Sequence, residues 1–157
     1  MSSILNTDAA LTDARPRHLR LGWNLKQGRE IVAEFSGEKP LWLDHVTMRI
    51  NKLLDLQPGW DSYQARAVDV TSVKTCLDVL SRTMQLETPL PQIVPTSRGT
   101  IQLEWHLRGI DLEVEALPSG ALKISYEDAK TGEIIEDLTT SGITEMERAL
   151  KELSMRE

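Results

Sequence analysis

The sequence predicts an α+β fold, in which an antiparallel β-meander of four or more strands carries two or three helices packed on one face. Apolar residues recur at helical spacing in two segments of the first half and again near the end of the chain. Between them, from about residue 100, apolar and polar residues alternate through two short turns that contain glycine. Such alternation is typical of strands with one buried and one exposed face, so the helices are expected on one side only.

The predicted domain organisation is a flexible leader at residues 1–16 and a single α+β domain at residues 17–157. The leader has no hydrophobic periodicity. Alternation on both sides of the turn-like segment NLKQG predicts an N-terminal hairpin at residues 17–36. A chain of 157 residues is long enough for one domain to bury a core without disulfides or structural metals.

The predicted helices lie at residues 41–56, 70–85 and 144–155. Asp69 or Thr71 can serve as the N-cap of the second helix, because a side-chain oxygen there can accept a free backbone N–H. Thr144 and Glu147 have the spacing of a capping box, which predicts that the C-terminal helix begins directly after Thr144.

The predicted sheet spans residues 92–139, and its register follows from the lengths of its turns. A two-residue Arg108-Gly109 turn pairs Leu107 with Ile110. A three-residue loop, Pro118-Ser119-Gly120, sets the register between the next two strands. These turns predict the cross-strand pairs His106–Asp111, Glu104–Glu113, Gln102–Glu115, Glu115–Lys123 and Glu113–Ser125.

The polar face of this sheet is the first candidate site, and it is predicted to bind a partner. Its candidate residues are Gln102, Glu104, His106, Asp111, Glu113 and Glu115. Like charges directly opposite each other destabilise a strand pair. A cation is therefore expected there, supplied by a metal, by a basic partner or by a Lys or Arg of the chain. No metal site is predicted, because side chains on a flat strand face are expected to point outward in parallel without converging.

The charge distribution indicates the class of partner. The net charge is −6, and residues 104–157 hold thirteen Asp and Glu against six Lys and Arg. An acidic half repels phosphate backbones, so direct nucleic-acid binding is not expected. The expected partner is a basic protein surface. No apolar run has the length needed to span a bilayer, so no membrane partner is predicted. Cys76 is the only cysteine, which favours a reducing, cytoplasmic location. No cofactor is predicted.

The second candidate site is the segment QPGWDSYQAR, residues 57–66, where Trp60, Asp61 and Tyr63 are candidates for partner binding. The favoured interpretation is structural: Trp60 fills the core between two helices, and Asp61 accepts backbone N–H groups in an Asx turn. No catalytic residue is predicted, because a lone carboxylate without a nearby His or second acid is weak support for catalysis.

Two separated motifs resemble a family of small, functionally uncharacterised proteins of bacteria and mobile elements. They are a GWDSYGA-type turn and a PT-x-x-G-x-IQLEW strand followed by alternating DLEVE. The resemblance covers roughly residues 53–127, and Gln64 stands where the family usually has Gly. It implies no activity, but it implies that Trp60-Asp61 and Gln102-Glu104-Trp105 belong to one spatial constellation. The matching residues are Gly59, Trp60, Asp61, Ser62, Tyr63, Ala65, Pro95, Thr96, Gly99, Gln102, Leu103, Glu104, Trp105, Asp111, Leu112, Glu113 and Glu115.

The leading functional hypothesis is a non-enzymatic interaction protein of bacterial or phage origin, such as an antitoxin, an immunity protein or an accessory protein of a defence or mobile-element locus. The alternative is a small hydrolase, which a metal could assist, using Asp61, Glu104 and His106. Convergence of these three side chains in a concave pocket would favour the enzyme, whereas a flat, solvated arrangement would favour the interaction module. The sequence predicts no oligomeric state.

Overall fold

The structure, a computed structural model, describes residues 18–25, 29–36 and 39–157. The predicted leader at residues 1–16 lies outside this part of the chain. The elements follow in the order β1 (His18–Leu25), β2 (Arg29–Ser36), α1 (Leu43–Leu54), α2 (Val70–Thr83), β3 (Gln92–Pro95), β4 (Ile101–Leu107), β5 (Ile110–Ala116), β6 (Leu122–Asp128), β7 (Ile134–Thr140) and α3 (Thr144–Met155).

The sheet is the antiparallel meander that the alternation predicts. Strands β3 to β7 pair in sequence order, and β1 and β2 form a separate two-stranded hairpin. The predicted pairing of Leu107 with Ile110 is confirmed. The pairs that follow from it, Glu104–Glu113, His106–Asp111 and Gln102–Glu115, are confirmed too, as are the two predicted pairs between β5 and β6.

The three helices pack on one face of the sheet and bury its apolar side chains. Helix α1 contacts β3, α2 contacts β4 and β5, and α3 contacts β5 and β6. Trp105 is the largest fully buried side chain of this core, and its indole N–H donates to the carbonyl of Pro89 at 2.8 Å. The fold class is therefore α+β, with the helices on one side as predicted.

Two hydroxyl groups of α2 fasten this helix to the ends of the central strands. Ser72 is fully buried; its hydroxyl donates to the carbonyl of Ala116 at 2.6 Å and accepts the N–H of Ile101 at 2.8 Å. Thr75 donates to the carbonyl of Leu117 at 2.8 Å. Since these groups lie where β4 begins and β5 ends, they fix the position of the sheet relative to α2.

One of the two predicted helix caps is correct. The side chain of Asp69 accepts the N–H of Thr71 at 2.8 Å and caps α2. The capping box at Thr144 is wrong: the residue before it, Ile143, already has helical dihedral angles and is the N-cap, without a side-chain cap. Thr144 is consequently the first residue inside the helix, where its hydroxyl cannot perform the N-cap role.

The two edges of the five-stranded sheet differ. At β3, the Arg49 side chain of α1 donates its Nε–H to the carbonyl of Ile93 at 2.8 Å. At β7, the pairing with β6 shifts register between Ile124 and Tyr126, and Asp137 has a φ of +48°. Strand β7 is thus bulged and mostly exposed.

Within the described residues, no helix combines the length and the apolar content that crossing a bilayer requires.

Candidate interaction face and its carboxylate–histidine cluster

All six polar candidates on the sheet lie on the face opposite the helices, which we call the outer face. The register places them there because alternate residues of a strand point to opposite sides, and their neighbours Leu103, Trp105 and Leu112 are buried. The outer face therefore presents side chains from β4 and β5 as the sequence predicts, but these side chains differ in accessibility.

Glu115 is not accessible to a partner, because only 3% of it is exposed. Arg98 donates to its carboxylate through Nε at 3.3 Å and through Nη2 at 2.5 Å, and the Thr100 hydroxyl donates to it as well. Burial by itself would raise the pKa of Glu115, but the hydrogen bonds from Arg98 and Thr100 lower it below the usual value. Glu115 thus supports the fold, and the prediction that it contacts a partner is wrong.

Glu104, His106 and Glu113 form a second group on the outer face, the Glu-His-Glu cluster. One ligand atom from each lies within 4.8 Å of the others. His106 Nε2 is 3.3 Å from a carboxylate oxygen of Glu104. The expectation that these side chains would point outward in parallel is wrong. The register makes them neighbours, because His106 and Glu104 are two residues apart on one strand and Glu113 lies directly opposite Glu104 on the next.

Two neighbouring side chains orient the cluster. His106 Nδ1 lies 2.9 Å from a carboxylate oxygen of Asp111. The Gln102 amide nitrogen donates to Glu104 at 2.9 Å and to Glu113 at 3.2 Å. The hydrogen bond to Asp111 raises the pKa of His106, burial lowers it by less, and the hydrogen bond and charge of Glu104 raise it further. The cluster is therefore held in place by groups that do not belong to it.

A shallow groove of about 460 Å³ continues from the cluster toward β7. His106, Asp111 and Glu113 line one end of it. Its other wall includes Glu127, Ile134, Glu136 and Asp137. Asp137 is paired with Lys123, whose Nζ lies 3.1 Å from it. The groove is acidic, and the apolar side chain of Ile134 on its wall is 58% exposed.

The segment at residues 57–66 is a compact loop. Asp61 accepts the backbone N–H of Tyr63 at 2.9 Å and of Ala65 at 3.1 Å, which confirms its predicted structural role. Trp60 is only half-buried, and its indole N–H donates to the carbonyl of Arg66 at 3.1 Å. The prediction that Trp60 fills the core is wrong, because that hydrogen bond keeps it over its own loop. Tyr63 is 84% exposed and remains available to a partner.

The chain that follows Asp61 contacts the turn that precedes β4, although these contacts do not involve Trp60, Asp61, Gln102, Glu104 or Trp105. The N–H of Arg66 donates to the carbonyl of Ser97 at 3.0 Å, and that of Asp69 donates to Gly99 at 2.7 Å. Gly99 has a φ of +85°, and a Cβ there would lie 2.6 Å from the carbonyl oxygen of Ala67. The contact is therefore made through backbone atoms, and it depends on the absence of a side chain at Gly99.

Sequence reasoning missed Arg98 and Thr100, which hold Glu115 at the end of the outer face. Their spacing from Glu115 along the chain carries no signal, because the contact forms only when the turn folds over β5. The cluster differs from the predicted hydrolase site of Asp61, Glu104 and His106, because it contains Glu113 in place of Asp61. The Asp61 carboxylate is occupied by its own loop.

No protein-family model matches this chain, and neither a curated protein nor a solved structure is significantly similar to it. The resemblance to a family of bacterial and mobile-element proteins therefore stays a prediction.

Proposed function

We propose that this protein is a non-enzymatic interaction module that binds a basic surface of a partner protein on the outer face of its sheet. The observation that carries the proposal is the acidic groove beside the Glu-His-Glu cluster. Asp111, Glu127 and Glu136 are exposed along it, and Ile134 offers an apolar contact within the same surface. A charged rim around an exposed apolar side chain is suited to a partner of opposite charge.

The charge of the whole chain supports the same class of partner. A net charge of −6 and an excess of acids in residues 104–157 attract a basic protein over long range and repel nucleic acid. Tyr63 is exposed on the loop that packs against the turn before β4, and it stays a proposed partner-binding residue outside the groove. An antitoxin, an immunity protein or an accessory protein of a defence or mobile-element locus, in a bacterial or phage cytoplasm, would have such a surface.

The alternative small hydrolase has less support. It requires Asp61 to act with Glu104 and His106, and the Asp61 carboxylate instead accepts two backbone N–H groups of its own loop. The groove is also open and shallow, whereas a catalytic site usually excludes water from its reacting groups.

The test compares two double charge reversals that change the net charge equally. Glu127→Lys with Glu136→Lys alters the acidic groove, and Glu87→Lys with Glu147→Lys alters a groove between the ends of α2 and α3. Immobilised wild type and both variants are used to recover proteins from a lysate of the native host. The binding of each recovered protein is then measured with purified components at several salt concentrations.

We expect a basic protein that binds the wild type and the Glu87–Glu147 variant alike and binds the Glu127–Glu136 variant at least about tenfold more weakly, because reversing two charges turns attraction across the interface into repulsion. Its association rate should fall as salt rises, because exposed charges are screened beyond about 8–10 Å at physiological ionic strength. Equal weakening by both variants would mean that only net charge matters and would contradict the proposal, as would a partner that binds independently of salt.

A further inference from the structure

We propose that Glu104, His106 and Glu113 bind one divalent transition-metal ion, with Zn²⁺ as the best fit. The three ligand atoms already lie within 4.8 Å of one another. The separation of His106 Nε2 from the Glu104 oxygen is 3.3 Å. Two ligands that each bind at about 2.0–2.1 Å in a tetrahedral site are separated by about that distance. The Glu113 side chain would rotate to bring its oxygen to a similar separation and complete a three-ligand site.

The orientation of His106 is the one that a metal-binding histidine needs. A histidine that binds a metal through one ring nitrogen usually donates the N–H of its other nitrogen to a carboxylate or carbonyl, which fixes the tautomer. Here Nδ1 contacts Asp111 at 2.9 Å, and Nε2 faces Glu104 at 3.3 Å. Asp111 is thus a positioning residue outside the ligand set.

The two glutamates are oriented as well. One Gln102 amide donates to an oxygen of each carboxylate, at 2.9 Å and 3.2 Å. This arrangement holds the pair from one side and leaves the second oxygen of each carboxylate outside the Gln102 contact; that of Glu104 lies beside His106 Nε2. The Glu104 side chain is only 17% exposed, so its carboxylate is already partly removed from water and favours a cation nearby.

The balance of charge singles out this place on the outer face. Glu115 is neutralised by Arg98, and Asp137 by Lys123. Within residues 39–157, no Lys or Arg forms an ion pair with Glu104 or Glu113, and His106 is the basic side chain in contact with Glu104. Two facing carboxylates repel each other, and an ion of charge +2 removes that repulsion more fully than a protonated imidazole does.

The donor set selects the class of ion. One imidazole nitrogen and two carboxylate oxygens suit Zn²⁺ or Mn²⁺, whereas Mg²⁺ and Ca²⁺ prefer oxygen ligands alone. With three protein ligands, a tetrahedral ion keeps a fourth position open toward the groove for water or a group of a partner. This inference goes beyond the proposed interaction and does not depend on it.

The experiment is calorimetric titration of Zn²⁺ into the full chain, freed of any histidine tag and stripped with EDTA. We expect one ion per chain with a dissociation constant below about 100 μM. His106→Gln and Glu113→Gln should each weaken binding at least about tenfold, and Asp111→Ala by about 10–100-fold, as for loss of a group that orients a ligand. Excess Mg²⁺ should not compete.

Two matched variants serve as controls. His45→Gln removes another exposed histidine, on α1, and Glu127→Gln removes another exposed acid of the outer face. Both should bind Zn²⁺ as the wild type does. Melting curves in EDTA check that every variant is folded. If one ligand variant is not folded, Glu104→Gln is used in its place. The proposal is overturned if the wild type binds no stoichiometric Zn²⁺, if Glu127→Gln weakens binding as much as Glu113→Gln, or if His45→Gln does so as much as His106→Gln. Since Glu127 and Glu136 are not ligands, the charge-reversal test of partner binding can fail while zinc binding remains.

Discussion

Trp105 and Trp60 each donate an indole N–H to a backbone carbonyl, but they differ in burial. Trp105 is 1% exposed and lies in the core, whereas Trp60 is half-buried over its own loop. Removing a buried aromatic ring leaves a cavity in addition to losing its transfer free energy, so burial decides which of the two stabilises the fold more.

We therefore expect Trp105→Ala to lower the free energy of unfolding by about 3–5 kcal/mol. Trp60→Ala should lower it by clearly less, because part of that ring already contacts water. Urea unfolding followed by circular dichroism gives both values, and Trp105→Phe, which keeps most of the volume, serves as a milder control. A larger loss for Trp60→Ala would show that the loop ring contributes to the core.

Cys76 is a core residue of α2, and complete burial raises the pKa of its thiol to about 12. The thiolate is the reactive form of cysteine, so the native protein should react extremely slowly with a thiol reagent near neutral pH. We expect Ellman's reagent to label no thiol within minutes under native conditions and one thiol per chain in denaturing urea. Rapid stoichiometric labelling of the folded protein would contradict this burial.

At the level of elements, the contact between the 57–66 loop and the turn before β4 depends on Gly99. Gly99 and Gly120 both have a positive φ, so alanine is strained at either position. Only at Gly99 does an added Cβ collide with backbone, 2.6 Å from the Ala67 oxygen, since Gly120 faces open space.

Gly120→Ala should accordingly cost about 1–2 kcal/mol, the strain of a left-handed alanine. Gly99→Ala should cost more than that, because the loop must also move away from the turn. The two variants are compared by thermal and urea unfolding. Equal losses would indicate that the loop yields freely and that the two motif segments are only loosely joined.

The end of α3 is fixed to the end of β6 by an ion pair. Arg156 Nη1 and Nη2 contact the two carboxylate oxygens of Asp128 at 2.9 Å and 2.5 Å, and Asp128 is 2% exposed. The hydrogen bonds from Arg156 and from the N–H of Lys130 lower the pKa of Asp128 well below its usual value. Ionised Asp128 therefore stabilises the folded state at every pH at which the same carboxyl is also ionised in the unfolded chain.

The stabilisation by Asp128 is fully present above the pKa of about 4 that its carboxyl has in the unfolded chain. It is lost as the pH falls below that value. Asp128→Asn should lower the melting temperature at neutral pH and should reduce its further decrease between about pH 5 and pH 2.5. The measurement is a series of melting curves across that range for wild type and variant. Parallel curves would show that Asp128 has no share in the acid sensitivity.

The elements were largely predictable, because their signals are local. Alternation and the two-residue turn at Arg108-Gly109 predicted the register of β4 and β5, and the apolar stripes predicted all three helices within two residues at each end. The capping box at Thr144 failed because the preceding residue had already entered helical geometry. A cap depends on the path of the chain before the helix, and the spacing of two residues does not reveal it.

The site was predictable in part. The register identified the residues of the outer face, but the burial of Glu115 depends on Arg98, seventeen residues earlier in the chain. The convergence of Glu104, His106 and Glu113 depends on side-chain rotations that Gln102 and Asp111 select. Alternation describes the side on which a residue lies, but it does not describe the direction in which a long side chain bends.

At the scale of the whole molecule, the two faces of the sheet have different tasks. The inner face is continuous with the core of α1, α2 and α3, and its residues are nearly all buried. The outer face has few apolar groups and concentrates negative charge. Substitutions at Glu127 or Glu136 should therefore change association without changing the fold, whereas those at Leu103 or Leu112 should act through stability alone.

The condition of the two edge strands has a consequence for self-assembly. A long, regular edge strand offers free N–H and C=O groups to which another copy can add, and fibrils grow in this way. In this sheet the Arg49 side chain occupies the Ile93 carbonyl at one edge, and the left-handed Asp137 disturbs the other. Concentrated solutions of the folded protein should consequently stay free of ordered aggregates, and seeding with preformed fibrils should not recruit native molecules.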